Sequence, residues 1–154
     1  MRADLLVMGT GPAGLAVARS AAARGMRVAC VDPAPHAPWQ RSFGVWECEA
    51  AELGELAPRE ASFARPLVDL GGEGRIVLDA AYCRLDVAEL QRRLQEALRA
   101  AGSEMITGRV AAVQHGTASS RVRLDGGVEI DADVVVDATG AQSPCCLLYT
   151  SRCV

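Results

Sequence analysis

Apolar residues fall in unbroken runs near the two ends of the chain and in spaced patterns between them. Leu5-Leu6-Val7-Met8 and Val28-Ala29-Cys30-Val31 have the pattern of strands buried on both faces of a parallel sheet. Between them, Gly9-Thr10-Gly11-Pro12-Ala13-Gly14 leads into an Ala-rich apolar stretch closed by Gly25, and the second run ends on Asp32. The prediction is strand, glycine turn, helix, strand, acid. Pro33, Pro35 and Pro38 bar a helix, so residues 33–40 are predicted as a loop. Residues 51–65 read as a short helix followed by irregular chain, interrupted by Pro58. Residues 65–78 carry Leu67-Val68 and Ile76-Val77-Leu78 around a glycine-rich centre, which predicts a hairpin.

A second helix opens at Asp86, where Asp86-Val87-Ala88-Glu89 has the form of a capping box. Leu90, Leu94, Ala97, Leu98 and Ala101 then recur on one helical face until Gly102. From Thr107 the period becomes two: Val110 and Val113, then Val122 and Leu124 between arginines, then Val128 and Ile130 about Glu129, with Asp125-Gly126-Gly127 as a turn. This predicts a small antiparallel meander with one wet face. Val134-Val135-Val136 is again an unbroken run, so the chain is expected to re-enter the parallel sheet as a strand covered on both sides, leaving through Asp137-Ala138-Thr139-Gly140.

Composition narrows the class. A chain of 154 residues with 50% hydrophobic residues can bury one core. A net charge of −3 argues against a nucleic-acid partner, which calls for a basic face. No basic leader and no apolar run near 18 residues is present, so neither a secretory leader nor a membrane span is expected, and a cytoplasmic location is the simplest. Cys30, Cys48 and Cys83 are isolated and no CxxC pair occurs, so unpaired thiols are expected rather than disulfides or a metal site.

The chemistry lies first in residues 4–32. Gly9 suits a tight turn, Gly11 lets backbone approach a pyrophosphate, and Gly14 allows close packing of the helix. Pro12 fits the first helical position, and the helix N-terminus offers free N–H groups to a diphosphate. Asp32 is placed to accept hydrogen bonds from an adenosine ribose. The alternative is a strand–helix–strand unit whose glycine turn binds nothing. Both tryptophans fall in Trp39-Gln40-Arg41-Ser42-Phe43-Gly44-Val45-Trp46-Glu47-Cys48-Glu49. That clustering suits either a large hydrophobic ligand or a local core pinning a loop. Arg84, just before the second helix, is either a solvated charge or a clamp for phosphate or ribose.

This order of elements resembles the FAD domain of the two-dinucleotide-fold flavoproteins, which include aromatic hydroxylases and geranylgeranyl reductases. Within that group, Trp39 with Phe43-Gly44-Val45-Trp46 and Glu49, together with Val31-Asp32-Pro33 and Tyr82-x-Arg84, is similar to the signature of the flavin-dependent lycopene cyclases. Phe43 stands where that signature has Tyr, and Cys48 where it has an acid. The resemblance implies an α/β, Rossmann-like FAD-binding domain with an inserted antiparallel meander over residues 1–145. It implies a bacterial, peripheral-membrane enzyme that cyclises the ends of lycopene to β-ionone rings without net redox change, using reduced FAD with NAD(P)H as electron source. Gly9, Gly11, Gly14 and Asp32 would bind the cofactor, with Arg84, Gly140 and Arg41 as further contacts. The acidic motif supplying the proton lies downstream of residue 140 in that family, and Glu49 is the one local carboxylate to consider as an acid. The alternatives are an FAD-dependent monooxygenase, a geranylgeranyl-reductase-like oxidoreductase, or a non-catalytic nucleotide-binding module.

Residues 146–154 lack periodicity, caps and turn signals. Back-translated, they resemble an in-frame reading of a transposon-end sequencing adapter joined to its inverted copy. Either they are such a tail and add nothing to the fold, or they are an ordinary frayed terminus; a separate substrate domain is expected beyond this chain.

Overall fold

The computed structural model describes residues 1–69, 71–72 and 74–140. In chain order its elements are β1 (Arg2–Met8), α1 (Pro12–Ala22), β2 (Val28–Asp32), β3 (Gly44–Trp46), α2 (Glu47–Leu53), a 3-10 turn (Gly54–Leu56), β4 (Arg59–Phe63), β5 (Leu67–Asp69), β6 (Arg75–Val77), β7 (Tyr82–Leu85), α3 (Val87–Ala100), β8 (Glu104–Thr107), β9 (Val110–His115), β10 (Ser120–Leu124) and β11 (Glu129–Asp137). They form two units, Met1–Ala37 with the chain from Leu94 onward, and Pro38–Arg93, the division falling inside α3. Residues 146–154 lie outside the described residues.

The first unit is a six-stranded mixed sheet in the order β8-β2-β1-β11-β10-β9. The strands β8, β2, β1 and β11 run parallel, and β10 and β9 are antiparallel. α1 packs on β1 and β2, burying Gly14, Leu15, Ala18 and Ala21. The opposite packing joins the meander to the parallel strands: Leu6, Met8, Ala29 and Val31 share one buried cluster with Val122, Leu124, Ile130 and Ala132. At about 1.5–3 kcal/mol for each large aliphatic chain removed from water, that cluster is a large stabilising contribution to this unit.

The meander differs from the expected insertion. One nine-residue strand, β11, spans both the third meander strand and the valine run, so the antiparallel part is a continuation of the parallel sheet. Neither is the valine run covered on both faces, because Val134 is 50% exposed. The third parallel strand, β8, is absent from the sequence reading, since four residues carrying Glu104 and Thr107 among Met105 and Ile106 show no clean period.

In the second unit β7 lies between β3 and β4, and β5 and β6 pair separately as the expected hairpin. α2 begins at Glu47, before the expected start, and β4 replaces the irregular chain predicted after Pro58. α3 follows the sequence pattern: the Asp86 carboxylate accepts the Glu89 N–H at 3.0 Å, Leu90, Leu94 and Leu98 are buried, and Gly102 takes φ +69° just beyond the helix.

Asp4 ties the start of β2 to β1. It accepts hydrogen bonds from the Arg27 guanidinium and from the Arg27 N–H at 2.7 Å. The side-chain bonds, and then the backbone bond, hold its carboxyl at about 2 instead of the ordinary 3.8. A depressed carboxyl contributes stability that is complete above its unfolded pKa and is lost as pH falls through the folded one. The thermal midpoint is therefore expected to drop between pH 4 and 2 less steeply in Asp4→Asn than in the unsubstituted protein. Identical slopes would refute this role for the pair.

Candidate nucleotide-binding crevice

β1 lies between β2, which follows it through α1, and β11, the last strand, so the chain departs on one side of β1 and returns on the other. The carboxyl ends of such strands form a crevice where open α/β sheets take ligands. Here it measures about 410 Å³ and is lined by Met8, Gly9, Gly11, Val31, Asp32, Pro33, Gly108, Arg109, Val110, Ala138 and Thr139.

The glycines are not equivalent. Gly9 has φ +98°, and a Cβ there would stand 2.6 Å from the Ala138 carbonyl oxygen, so the turn is pressed against the exit of β11. A Cβ on Gly14 would stand 2.1 Å from the Gly9 carbonyl oxygen, so Gly14 is required by the turn itself. Gly11 is the opposite case: its φ is −68°, it N-caps α1, and nothing lies within 4 Å of where its Cβ would be. Open space over a backbone that faces a crevice is what a diphosphate needs. Pro12 occupies the first turn of α1, where N–H groups have no carbonyl four residues back. The residues present thus fit a nucleotide diphosphate at the positive end of a helix.

Asp32 faces the same crevice and also braces it. Its Oδ2 accepts the Thr10 N–H at 2.9 Å and its Oδ1 the Ala34 N–H at 2.8 Å. Each oxygen keeps a second lone pair for a ribose hydroxyl. Across the crevice the Thr139 N–H and hydroxyl both donate to Asp137 Oδ1, at 3.0 and 2.6 Å. Gly140 follows at φ +72°.

Gly9, Gly11 and Asp32 are thus brought round one cavity, with Gly14 supporting the turn. Arg41 and Arg84 belong to the second unit, where Arg41 is exposed and Arg84 Nη2 donates to Glu60 at 2.9 Å. Glu49 accepts the Trp46 N–H at 3.1 Å and thereby caps α2. The two motifs remote in sequence, Gly44-Val45-Trp46 and Tyr82-Cys83-Arg84, are partners on adjacent strands, with Gly44 opposite Arg84 and Trp46 opposite Tyr82. Trp46 and Tyr82 meet edge to face at 5.4 Å, and Trp39 and Phe43 at 6.2 Å, so the aromatic segment does pack locally. A Cβ on Gly44 would run into the Tyr82 ring, which explains that glycine. Cys30 and Cys83 are buried free thiols and Cys48 an exposed one, and burial pushes the Cys30 thiol up to about 11. The residues that sequence reasoning missed are Gly108 and Arg109, which follow the unrecognised β8.

The fold and crevice define a mixed α/β protein of the kind seen in several solved enzymes. Among these are a halogenase, PltM, in complex with phloroglucinol and FAD (TM-score 0.72, 14% identity, 96% of this chain and 36% of that one). Another is the anhydrotetracycline hydroxylase OxyS of Streptomyces rimosus (TM-score 0.75, 20% identity, 97% and 34%). A third is the peptidyl tryptophan dihydroxylase QhpG (TM-score 0.62, 30% identity, 94% and 34%).

The chain belongs to the lycopene cyclase family, whose model, described as lycopene cyclase protein, matches residues 4–153. It is 37% identical over 146 residues to the chloroplastic lycopene beta cyclase of an Oncidium hybrid cultivar, covering 95% of this chain and 31% of that protein. It is 35% identical over 141 residues to the lycopene beta cyclase of Synechococcus elongatus, covering 91% and 34%. The chain therefore spans about a third of the length of these relatives. The expected bacterial source is corrected by this set, in which chloroplastic proteins of plants such as Oncidium, Nicotiana tabacum and Arabidopsis thaliana stand beside the Synechococcus protein. Among the described residues no helix is long and apolar enough to cross a membrane.

Proposed function

We propose that this chain is the FAD-binding portion of a lycopene cyclase, an enzyme that closes the ends of a linear carotenoid into β-ionone rings. The observation that carries this reading is the family match over residues 4–153. The open backbone at Gly11 in front of the α1 N-terminus supports the cofactor part. In this reading residues 1–145 form a two-dinucleotide-type FAD domain. The substrate portion belongs to the length of the relatives that this chain does not span.

The chain's own residues bind and orient. Gly11 and the first turn of α1 present N–H groups to the diphosphate, Gly9 and Gly14 fix the turn that aims them, and Asp32 holds the ribose. Gly140, Arg84 and Arg41 are further proposed contacts. Reduced FAD, with NAD(P)H as its electron source, supplies negative charge beside a carbocation when bound. The reaction is a net isomerisation: one proton adds to a terminal double bond, the cation is attacked by the neighbouring alkene, and one proton leaves. Glu49 is already engaged as a helix cap, so the proton donor is not assigned to residues 1–140. A polyene substrate implies peripheral association with a membrane.

The test is expression of the full-length protein in lycopene-accumulating bacteria, with pigments read by chromatography and mass. Ring-closed isomers of unchanged mass are expected, whereas unaltered lycopene would refute the reading. The 30% identity to a dihydroxylase favours, as second reading, a monooxygenase, which would add the mass of oxygen. The 154-residue chain alone is expected to turn over no lycopene.

A further inference from the structure

We propose that Arg109 forms the base-binding end of the crevice, its guanidinium lying against the purine of the bound nucleotide. This rests on the crevice being a dinucleotide site, and it names a residue outside the glycine motif. The strand order β8-β2-β1 sets the direction. The glycine turn at the end of β1 is the diphosphate end, Asp32 at the end of β2 is the ribose position, and the next strand end along, after β8, is Gly108-Arg109. The base of a nucleotide laid along these three ends falls at Pro33, Gly108, Arg109 and Val110, all of which line the cavity.

The backbone there is held from three directions. The Gly108 N–H donates to the Asp32 carbonyl at 3.0 Å, and the Arg109 carbonyl accepts the Asp125 N–H at 2.8 Å. A Cβ on Gly108 would stand 2.9 Å from Leu124 Cδ1, so the turn sits directly on the core. The side chain is not held in this way. Several other arginines are spent on carboxylates, such as Arg27 on Asp4, Arg84 on Glu60 and Arg121 on Asp131. Among the described residues the Arg109 guanidinium has no hydrogen bond or ion pair. A fixed backbone carrying an uncommitted planar cation, beside apolar Pro33 and Val110, suits a flat π-system. A phosphate on the ribose would meet the Asp32 carboxylate instead, so the geometry favours ADP-type over 2′-phosphorylated nucleotides.

The test uses full-length protein and measures dissociation constants for FAD, ADP, UDP and 2′,5′-ADP, with and without Arg109→Ala. The expected result is a loss of about 2- to 30-fold for FAD and ADP, with a smaller loss for UDP, so that the preference for the purine shrinks. Equal losses for ADP and UDP, or a larger loss for 2′,5′-ADP, would place Arg109 on phosphate and overturn the assignment. Unchanged binding of all four would overturn it outright. Failure of the unsubstituted protein to bind either FAD or ADP would instead sink the dinucleotide reading beneath it.

Discussion

Gly11→Ala is expected to leave the fold standing and to weaken cofactor binding, whereas Gly14→Ala is expected to unfold the turn first. At Gly11 the new methyl group enters open space at φ −68°, a conformation any residue adopts. The cost to stability is then the replacement of a good N-cap by a poor one, about 1 kcal/mol or less. The same methyl group occupies the volume a diphosphate needs, and losing one charge-assisted backbone hydrogen bond of about 1.5–3 kcal/mol weakens FAD by about 10- to 100-fold. At Gly14 the methyl group meets the Gly9 carbonyl oxygen at 2.1 Å, and that atom belongs to backbone trapped between α1 and Ala138. Overpacking against backbone that cannot move costs about 3 kcal/mol. Urea unfolding of both variants, paired with FAD titration, separates the two. If Gly11→Ala lost as much stability as Gly14→Ala, or bound FAD normally, the assignment of diphosphate to this turn would be wrong.

The same three glycines show what was legible in the sequence and what was not. Their spacing, the flanking apolar runs and the acid at Asp32 predicted the strand–turn–helix–strand unit, and the structure has it. The division of labour among them was only partly legible, since Gly14 accommodates the Gly9 carbonyl rather than the strand as a whole. β8 escaped because its neighbours, not its own period, make it a strand: it pairs with β2 from Ala29–Glu104 to Asp32–Thr107. Missing β8 meant missing Arg109, whose place in the crevice follows from the sheet order. β11 was divided in two because its early residues alternate and its later ones do not. A strand that pairs with β10 at one end and with β1 along its length changes surroundings midway. The Gly-Val-Trp and Tyr-x-Arg motifs were legible as separate signatures, but their cross-strand pairing is a contact across nearly forty residues of chain, which no local pattern encodes.

Asp32→Ala is expected to lose stability and ligand response together, because one carboxylate does both jobs. Its two oxygens each take one backbone N–H, from Thr10 in the glycine turn and Ala34 in the loop beyond β2. Water can replace the partner of Ala34, which is exposed, but less readily that of Thr10, which is 4% exposed. The stability loss therefore comes mainly from removing the carboxylate acceptor of the buried Thr10 N–H, about 1–3 kcal/mol. Asp32→Asn keeps an acceptor for only one of the two donors and turns an amide NH₂ toward the other, so its loss lies between. On the ligand side, ADP at a hundredfold excess over its dissociation constant raises the stability of the unsubstituted protein by about 2.7 kcal/mol. With the ribose contact gone, the same ADP concentration yields a much smaller rise in Asp32→Ala. Melting curves with and without ADP on the three proteins measure both effects at once. A variant that loses intrinsic stability yet keeps the full ADP-induced rise would confine Asp32 to bracing the turn and move the ribose elsewhere in the crevice.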